Sequence, residues 1–255
     1  MLNILLLHNI TKKPTSDFYS VTEDLFKELL IQVNKSSIIT KPLECFIKNT
    51  PNDNNKQHLT LTFDDGALGN YEVALPLLKE FGLCASFFIT VGLIGKNGFM
   101  QWNMVEELKD NNLEIGSHTN SHLPLSKLSE DKIWEELHAS RCTLEDKLGT
   151  EINTLSLPHG DFNKRTITLA KKAGYKLICT SNPGINNSKQ IKKGVLYRNP
   201  VNIATSIMDI PSCLYPTKFK LILSKFSYGL RKSSKKILGK ERYESFRNWS
   251  LNLKP

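Results

Sequence analysis

Apolar and polar positions alternate strictly through Leu59-Thr60-Leu61-Thr62-Phe63-Asp64, a period of two that predicts a β-strand with one apolar face. The run ends on Asp64, Asp65 and Gly66. Neighbouring residues on a strand point to opposite sides, so the two carboxylates diverge unless the chain bends, and Gly66 is free to bend it. Residues 2–7 predict an earlier buried strand that ends at His8. Val21, Leu25, Phe26, Leu29, Leu30 and Val33 then recur at helical spacing, with Ser20 or Thr22 as the cap, and residues 49–57 form a polar loop. Beyond Gly66 the pattern predicts a helix starting near Ala74 and stopped by Gly82, then a strand over 84–91. A short helix over 103–111 and a strand over 113–116 follow, then a helix over 130–147 capped by Ser129. The last elements are a strand over 153–157, a helix over 163–172 stopped by Gly174, and strands over 175–179 and 195–197. Strands alternate with helices through most of residues 2–200, which predicts a parallel sheet or a barrel wound from βα units.

Composition changes this picture in only two places. The chain has 255 residues, 40% of them hydrophobic and 23% charged, the range of an ordinary globular protein. The net charge of +9 is concentrated: residues 214–255 hold 11 Lys/Arg against two acids, Glu241 and Glu244. The remaining body is neutral, which argues against a nucleic-acid surface. No apolar run approaches the roughly 18 residues of a membrane span. The N-terminus has neither a basic lead nor a small-residue cleavage site, so a cytoplasmic location is expected. Cys45, Cys84, Cys142, Cys179 and Cys213 are odd in number and widely spaced, which fits free thiols in a reducing compartment, with Cys84 and Cys179 buried.

Three constellations carry candidate chemistry, and Asp64-Asp65-Gly66 is the first. The second is Ser117-His118-Thr119-Asn120-Ser121-His122, where two imidazoles four residues apart follow a strand. On one helical turn or in a tight loop, that spacing aims both rings at one point. One carboxylate with two imidazoles, Asp65 with His118 and His122, suits a catalytic metal site, and Asp64 is left over as a base. The third is Pro158-His159-Gly160, a tight turn after a strand that could wall a pocket. In a (β/α) barrel, reactive groups gather at the C-terminal ends of strands, where all three groups and His8 fall.

Together, Thr62-Phe63-Asp64-Asp65-Gly66, Ser117-His118-Thr119-Asn120-Ser121-His122 and Pro158-His159-Gly160 resemble the first three motifs of the polysaccharide deacetylase family, carbohydrate esterase family four. Ala85-Ser86-Phe87-Phe88 and Ala173-Gly174-Tyr175 extend the resemblance over roughly residues 4–200. It implies a distorted (β/α) barrel, which residues 1–213 would form, while the charge excess sets residues 214–255 apart as a basic helical extension. It also implies metal-dependent removal of an N-acetyl group from an amino sugar, oligosaccharide or sugar conjugate. By position, Asp64 would be the general base, and Asp65, His118 and His122 would bind a divalent metal, zinc in most relatives. Pro158 and Gly160 would shape the substrate and oxyanion side. The chain departs from the family in having Ser156 where an arginine is common, and in having no histidine after His159 to act as acid. Arg198 is the expected substitute for the arginine. His8, then His159, are the expected acids. Hydrolysis of another C–N bond, or an inactive glycan- or membrane-binding module, are the alternatives.

In the tail, Phe219, Ile222, Leu223, Phe226 and Leu230 recur at helical spacing among lysines. Tyr243, Phe246 and Trp249 do so again further on. These basic amphipathic segments either dock on an anionic membrane surface or pack over the barrel with a solvated basic face.

Overall fold

A computed structural model describes residues 1–49 and 56–238. Most of the predicted 49–57 loop, and the segment around Tyr243, Phe246 and Trp249, lie outside the described residues. Eight strands in chain order carry the fold: β1 (Leu2–Leu7), β2 (His58–Phe63), β3 (Ala85–Ile89), β4 (Glu114–Ser117), β5 (Thr154–Ser156), β6 (Leu177–Cys179), β7 (Val195–Leu196) and β8 (Asn199–Pro200). Their order in the sheet is β7-β6-β5-β4-β3-β2-β1-β8, every pairing is parallel, and the short strand Ile39–Thr40 pairs beside the start of β2. Only Tyr197 and Arg198 separate β7 from β8, so one short run of chain passes from β6 to β1 and curls the sheet round. The expected distorted (β/α) barrel is therefore observed.

Helices α1 (Glu23–Lys35), α2 (Leu75–Glu80), α3 (Trp102–Asp110), α4 (Glu130–Leu148), α5 (Lys164–Lys172) and α6 (Lys218–Leu238) are joined by shorter ones at Cys45–Lys48, Ser188–Lys193 and Ile210–Leu214. Two side-chain caps match the residues expected, Thr22 accepting from the Leu25 N–H and Ser129 from that of Lys132, and Asn163 caps α5 in the same way by accepting from the Thr166 N–H. Each such cap is worth about 1 kcal/mol. Most boundaries shift by one or two residues, the strand expected over 84–91 being Ala85–Ile89. The helix expected to start near Ala74 starts at Leu75, with Pro76 in its first turn, after a π-helical turn, Asn70–Ala74.

Alternation on β2 sorts its side chains into two environments. Leu59, Leu61 and Phe63 face the helices, and Phe63 stacks on Phe87 with ring centroids 4.7 Å apart. Full burial of such a side chain contributes about 1.5–3 kcal/mol. Thr60 and Thr62 are equally buried, because the curled sheet encloses their face. Low in the barrel, Glu114 collects the Ser86 and Thr154 hydroxyls at 2.6 and 2.7 Å. Leu43 and Phe46 join Leu2, Ile4 and Phe88 in a small apolar cluster separate from the main core. All five cysteines are free, and Cys179 is buried as expected, but Cys84 is only part-buried. No helix among the described residues is long and apolar enough to cross a membrane.

Candidate active site

The two adjacent carboxylates part at the end of β2. Asp64 keeps to the inward face of the strand and is buried. Asp65 and Gly66 then both take left-handed backbone, at φ 74° and 82°. Asp tolerates that region better than most residues and glycine pays no Cβ penalty there, so this pair is suited to the bend.

The histidine motif forms a tight loop rather than a helical turn, with Thr119 and His122 at φ 66° and 57°. Its backbone is held from two sides. Glu136 of α4 accepts the N–H groups of Asn120 and Ser121 at 3.1 and 2.7 Å. The segment after β3 donates from Val91 and Gly92 to the carbonyls of Thr119 and Asn120. His118 Nδ1 lies 2.8 Å from the Ser156 carbonyl and must donate to it, which turns Nε2 toward Asp65.

The ligand atoms converge. His118 Nε2 is 3.3 Å and His122 Nε2 3.1 Å from Asp65 Oδ1, and one ligand atom from each residue lies within 4.8 Å of the others. Asp65 Oδ1 is buried, yet no hydrogen bond of ordinary geometry reaches it. One carboxylate oxygen facing two imidazole nitrogens is a donor set that a divalent cation fits. Burial pushes the Asp65 carboxyl up, but the contacts with His118 and His122 more than offset this and hold it well below the usual range. Burial opposes charge on His118 too, and Asp64 and Asp65 still raise its pKa.

Asp64 is held by other partners. Arg198 Nη1 and Nη2 donate to its two oxygens at 2.7 and 2.8 Å, and the Ser156 hydroxyl donates to Oδ2 at 2.9 Å. The same guanidinium donates from Nε to the Thr180 carbonyl at 3.0 Å and lies 5.6 Å from the Phe88 ring centroid. Asp64 Oδ2 stays 3.9 Å from His118 Nε2. Burial raises the Asp64 carboxyl, and Arg198 followed by His118 pulls it below its ordinary value.

Ser156 is the residue that sequence reasoning passed over. Read from the chain, it marks a missing arginine. In the fold its carbonyl orients His118 and its hydroxyl holds Asp64. The available signal was its place in β5 with Thr154, another polar residue on a buried strand. Ser156→Ala keeps the carbonyl and removes one donor to a buried charge, a loss of about 1.5–3 kcal/mol in stability. We expect kcat/KM to fall on the order of tenfold with metal affinity unchanged. Kinetics beside a metal titration check this, and unaltered stability and kinetics would contradict it.

The remaining candidates are less uniform. His8 is half-buried and packs on Tyr19, with ring centroids 4.9 Å apart. Burial lowers its pKa, and the nearby charges of Asp65 and Asp64 only partly reverse that. His159 is exposed, has φ 59°, and donates from Nε2 to the His122 carbonyl at 3.2 Å. Pro158 and Gly160 do not supply an oxyanion donor here. Proline has no N–H, and that of Gly160 is already given to the Leu157 carbonyl at 3.1 Å. Gly160 has φ 62°, and a Cβ there would lie 2.8 Å from Ser181 Cβ and from Tyr228 Oη, so the turn is closely packed.

The sequence model of the polysaccharide deacetylase family matches residues 51–178, just over half of the chain. The chain belongs to the polysaccharide deacetylase family. Among relatives of this deacetylase-family chain, the Bacillus subtilis protein YxkH is 31% identical over 130 residues, 51% of this chain and 47% of that one. The poly-beta-1,6-N-acetyl-D-glucosamine N-deacetylase of Staphylococcus aureus is 30% identical over 135 residues, 48% of this chain and 47% of that one. The chain thus spans about half the length of the curated relatives it matches. Among solved structures, the Streptococcus pyogenes deacetylase PplD in complex with acetate superposes with a TM-score of 0.77 at 24% identity, covering 84% of this chain and 98% of that one. IcaB from Ammonifex degensii gives 0.73 at 19% identity, covering 84% and 95%. At these identities the two structures speak for the deacetylase fold.

Proposed function

We propose that this chain is a metal-dependent hydrolase that removes an N-acetyl group from an amino sugar or glycan. The observation that supports it best is the division of labour between adjacent acids. Asp65 meets His118 and His122, while Asp64, one residue away, is gripped by Arg198 and Ser156. Asp65, His118 and His122 would hold a divalent ion, and zinc suits one oxygen and two nitrogen donors. A bound ion of this kind lowers the pKa of water and polarises an amide carbonyl.

The chain's own residues account for the proton movements. Asp64 is kept ionised by Arg198 and is therefore ready to take a proton from the attacking water. The departing amine needs that proton back. His8 is assigned the delivery, with His159 as its alternative. Because burial keeps the His8 imidazole low, it must gain its proton during turnover rather than hold one beforehand. Arg198 is a positioning residue, since it reaches the reaction only through Asp64.

The N-acetylated substrate is inferred from the family and from the named activity of the Staphylococcus aureus relative. Acetate release by the zinc-loaded protein, from β-1,6-linked and β-1,4-linked N-acetylglucosamine oligomers, tests it. We expect release from at least one, and Asp64→Asn to reduce kcat on the order of a thousandfold with little change in KM. Cleavage only of formyl or cyclic amides would move the reaction to another C–N bond. No cleavage of any amide by a metal-loaded chain would make it a binding module.

A further inference from the structure

Helix α6 turns the wrong way for a helix that packs to bury its apolar side. Leu221, Ser224 and Tyr228 form its part-buried face. At about 100° per residue, Phe219, Ile222, Leu223, Phe226 and Leu230 fall on the opposite face. All five are exposed, Phe219 by 71% and Phe226 by 67%. The apolar stripe runs roughly 18 Å along the helix. The segment leading into it is similar, with Ile207, Met208 and Tyr215 exposed. A monomer rarely leaves such a stripe to water.

The helix is tied down on its other side, so this orientation has a structural cause. Lys220 donates to the Ser212 hydroxyl, and Tyr228 Oη reaches the Gly160 turn. These contacts fix which face looks out among the described residues.

We propose that this face of α6 docks on an anionic lipid bilayer. Charge chooses this occupant. Residues 218–238 carry seven Lys/Arg and no acid. Exposed Lys218 and Lys225 flank the stripe on one side, positions from which lysines reach lipid phosphates while the apolar side chains enter the acyl boundary. A second copy packed through the same face would set lysines against lysines. Residues 239–255 carry four Lys/Arg against two acids, so they too complement the helix poorly. An anionic surface satisfies the stripe and its flanks together.

Flotation of the full chain with vesicles tests the docking. We expect binding to phosphatidylcholine vesicles containing phosphatidylglycerol, weakened by salt, and little binding to phosphatidylcholine alone. Ile222→Glu with Phe226→Glu, both solvent-facing, should weaken binding by at least on the order of tenfold, with an unchanged melting curve. Lys218→Glu with Lys225→Glu should weaken binding to the anionic vesicles specifically. Asp64→Asn should bind as the unaltered chain does, which separates docking from hydrolysis. Absence of binding to anionic vesicles, or full binding by the Ile222/Phe226 variant, overturns the proposal. So does a dimer in lipid-free buffer that the same variant converts to monomer, since the face would then belong to a second copy.

Discussion

Replacing Arg198 by methionine is expected to cost about 3–5 kcal/mol of stability at neutral pH. The side chain is fully buried, and so is the Asp64 carboxylate it grips with two nitrogens. Methionine restores most of the volume but leaves a buried charge with only the Ser156 hydroxyl as donor. The effect has a definite pH dependence. In the folded chain the Asp64 carboxyl lies below its ordinary value, burial being outweighed chiefly by Arg198. Its stabilisation is therefore complete above the unfolded carboxyl's pKa of about 3.9 and fades as pH falls through the folded value. The variant should differ most from the unaltered chain at neutral pH, and the gap should narrow in acid. Without Arg198, burial dominates and Asp64 rises, so the acidic limb of kcat/KM should move to higher pH. Arg198→Lys should recover part of that limb but not the two-pronged hold. Urea melts at neutral pH and at about pH 4 are the check. A loss at neutral pH under about 1 kcal/mol would mean that Arg198 is not what keeps Asp64 charged.

Metal removal should have the second large effect. Because the ligand atoms of Asp65, His118 and His122 come from two separate loops, an ion bound among them ties the end of β2 to the loop after β4. Binding to the folded state alone adds about 4 kcal/mol when the free ion is at roughly a thousand times its Kd. In a chain of this size that corresponds to a rise in Tm of roughly 8–16 °C. Chelation should reverse it and abolish amide cleavage. Asp65→Asn is the sharper test, since asparagine also tolerates the left-handed backbone at this position and the bend can survive. We expect the variant to fold, to bind no stoichiometric zinc, and to show no zinc-dependent shift in Tm. If it retains one zinc per chain, the assignment of Asp65 fails, whatever becomes of activity.

Much of the centre was legible in the chain because its signals are local. The period of two through Leu59–Asp64 and the glycine after Asp65 state a strand and a bend, and both occur. His118 and His122 are four residues apart, a separation that any tight turn converts to proximity. Arg198 was reached only through the family resemblance, because 134 residues separate it from Asp64. Ser156 was misread as a loss. Its value lies in two partners 38 and 92 residues away, and no local pattern encodes such distances. The tail was legible as a basic amphipathic helix, but not the direction its apolar face takes.

What the sequence by itself determined was the succession of the longer strands and helices, though not the two-residue strand β8, together with caps such as Ser129 and which side chains share a face, since backbone sterics and side-chain periodicity act over a few residues. The tertiary structure alone decided which faces are enclosed. On β2 the polar face of Thr60, Thr62 and Asp64 is as dry as the apolar one, because the sheet curls until β8 pairs with β1. On α6 the apolar face is the one left outside, because Tyr228 and Lys220 hold the other against the barrel. Burial is a property of what surrounds a face, and the neighbours of both faces come from distant parts of the chain.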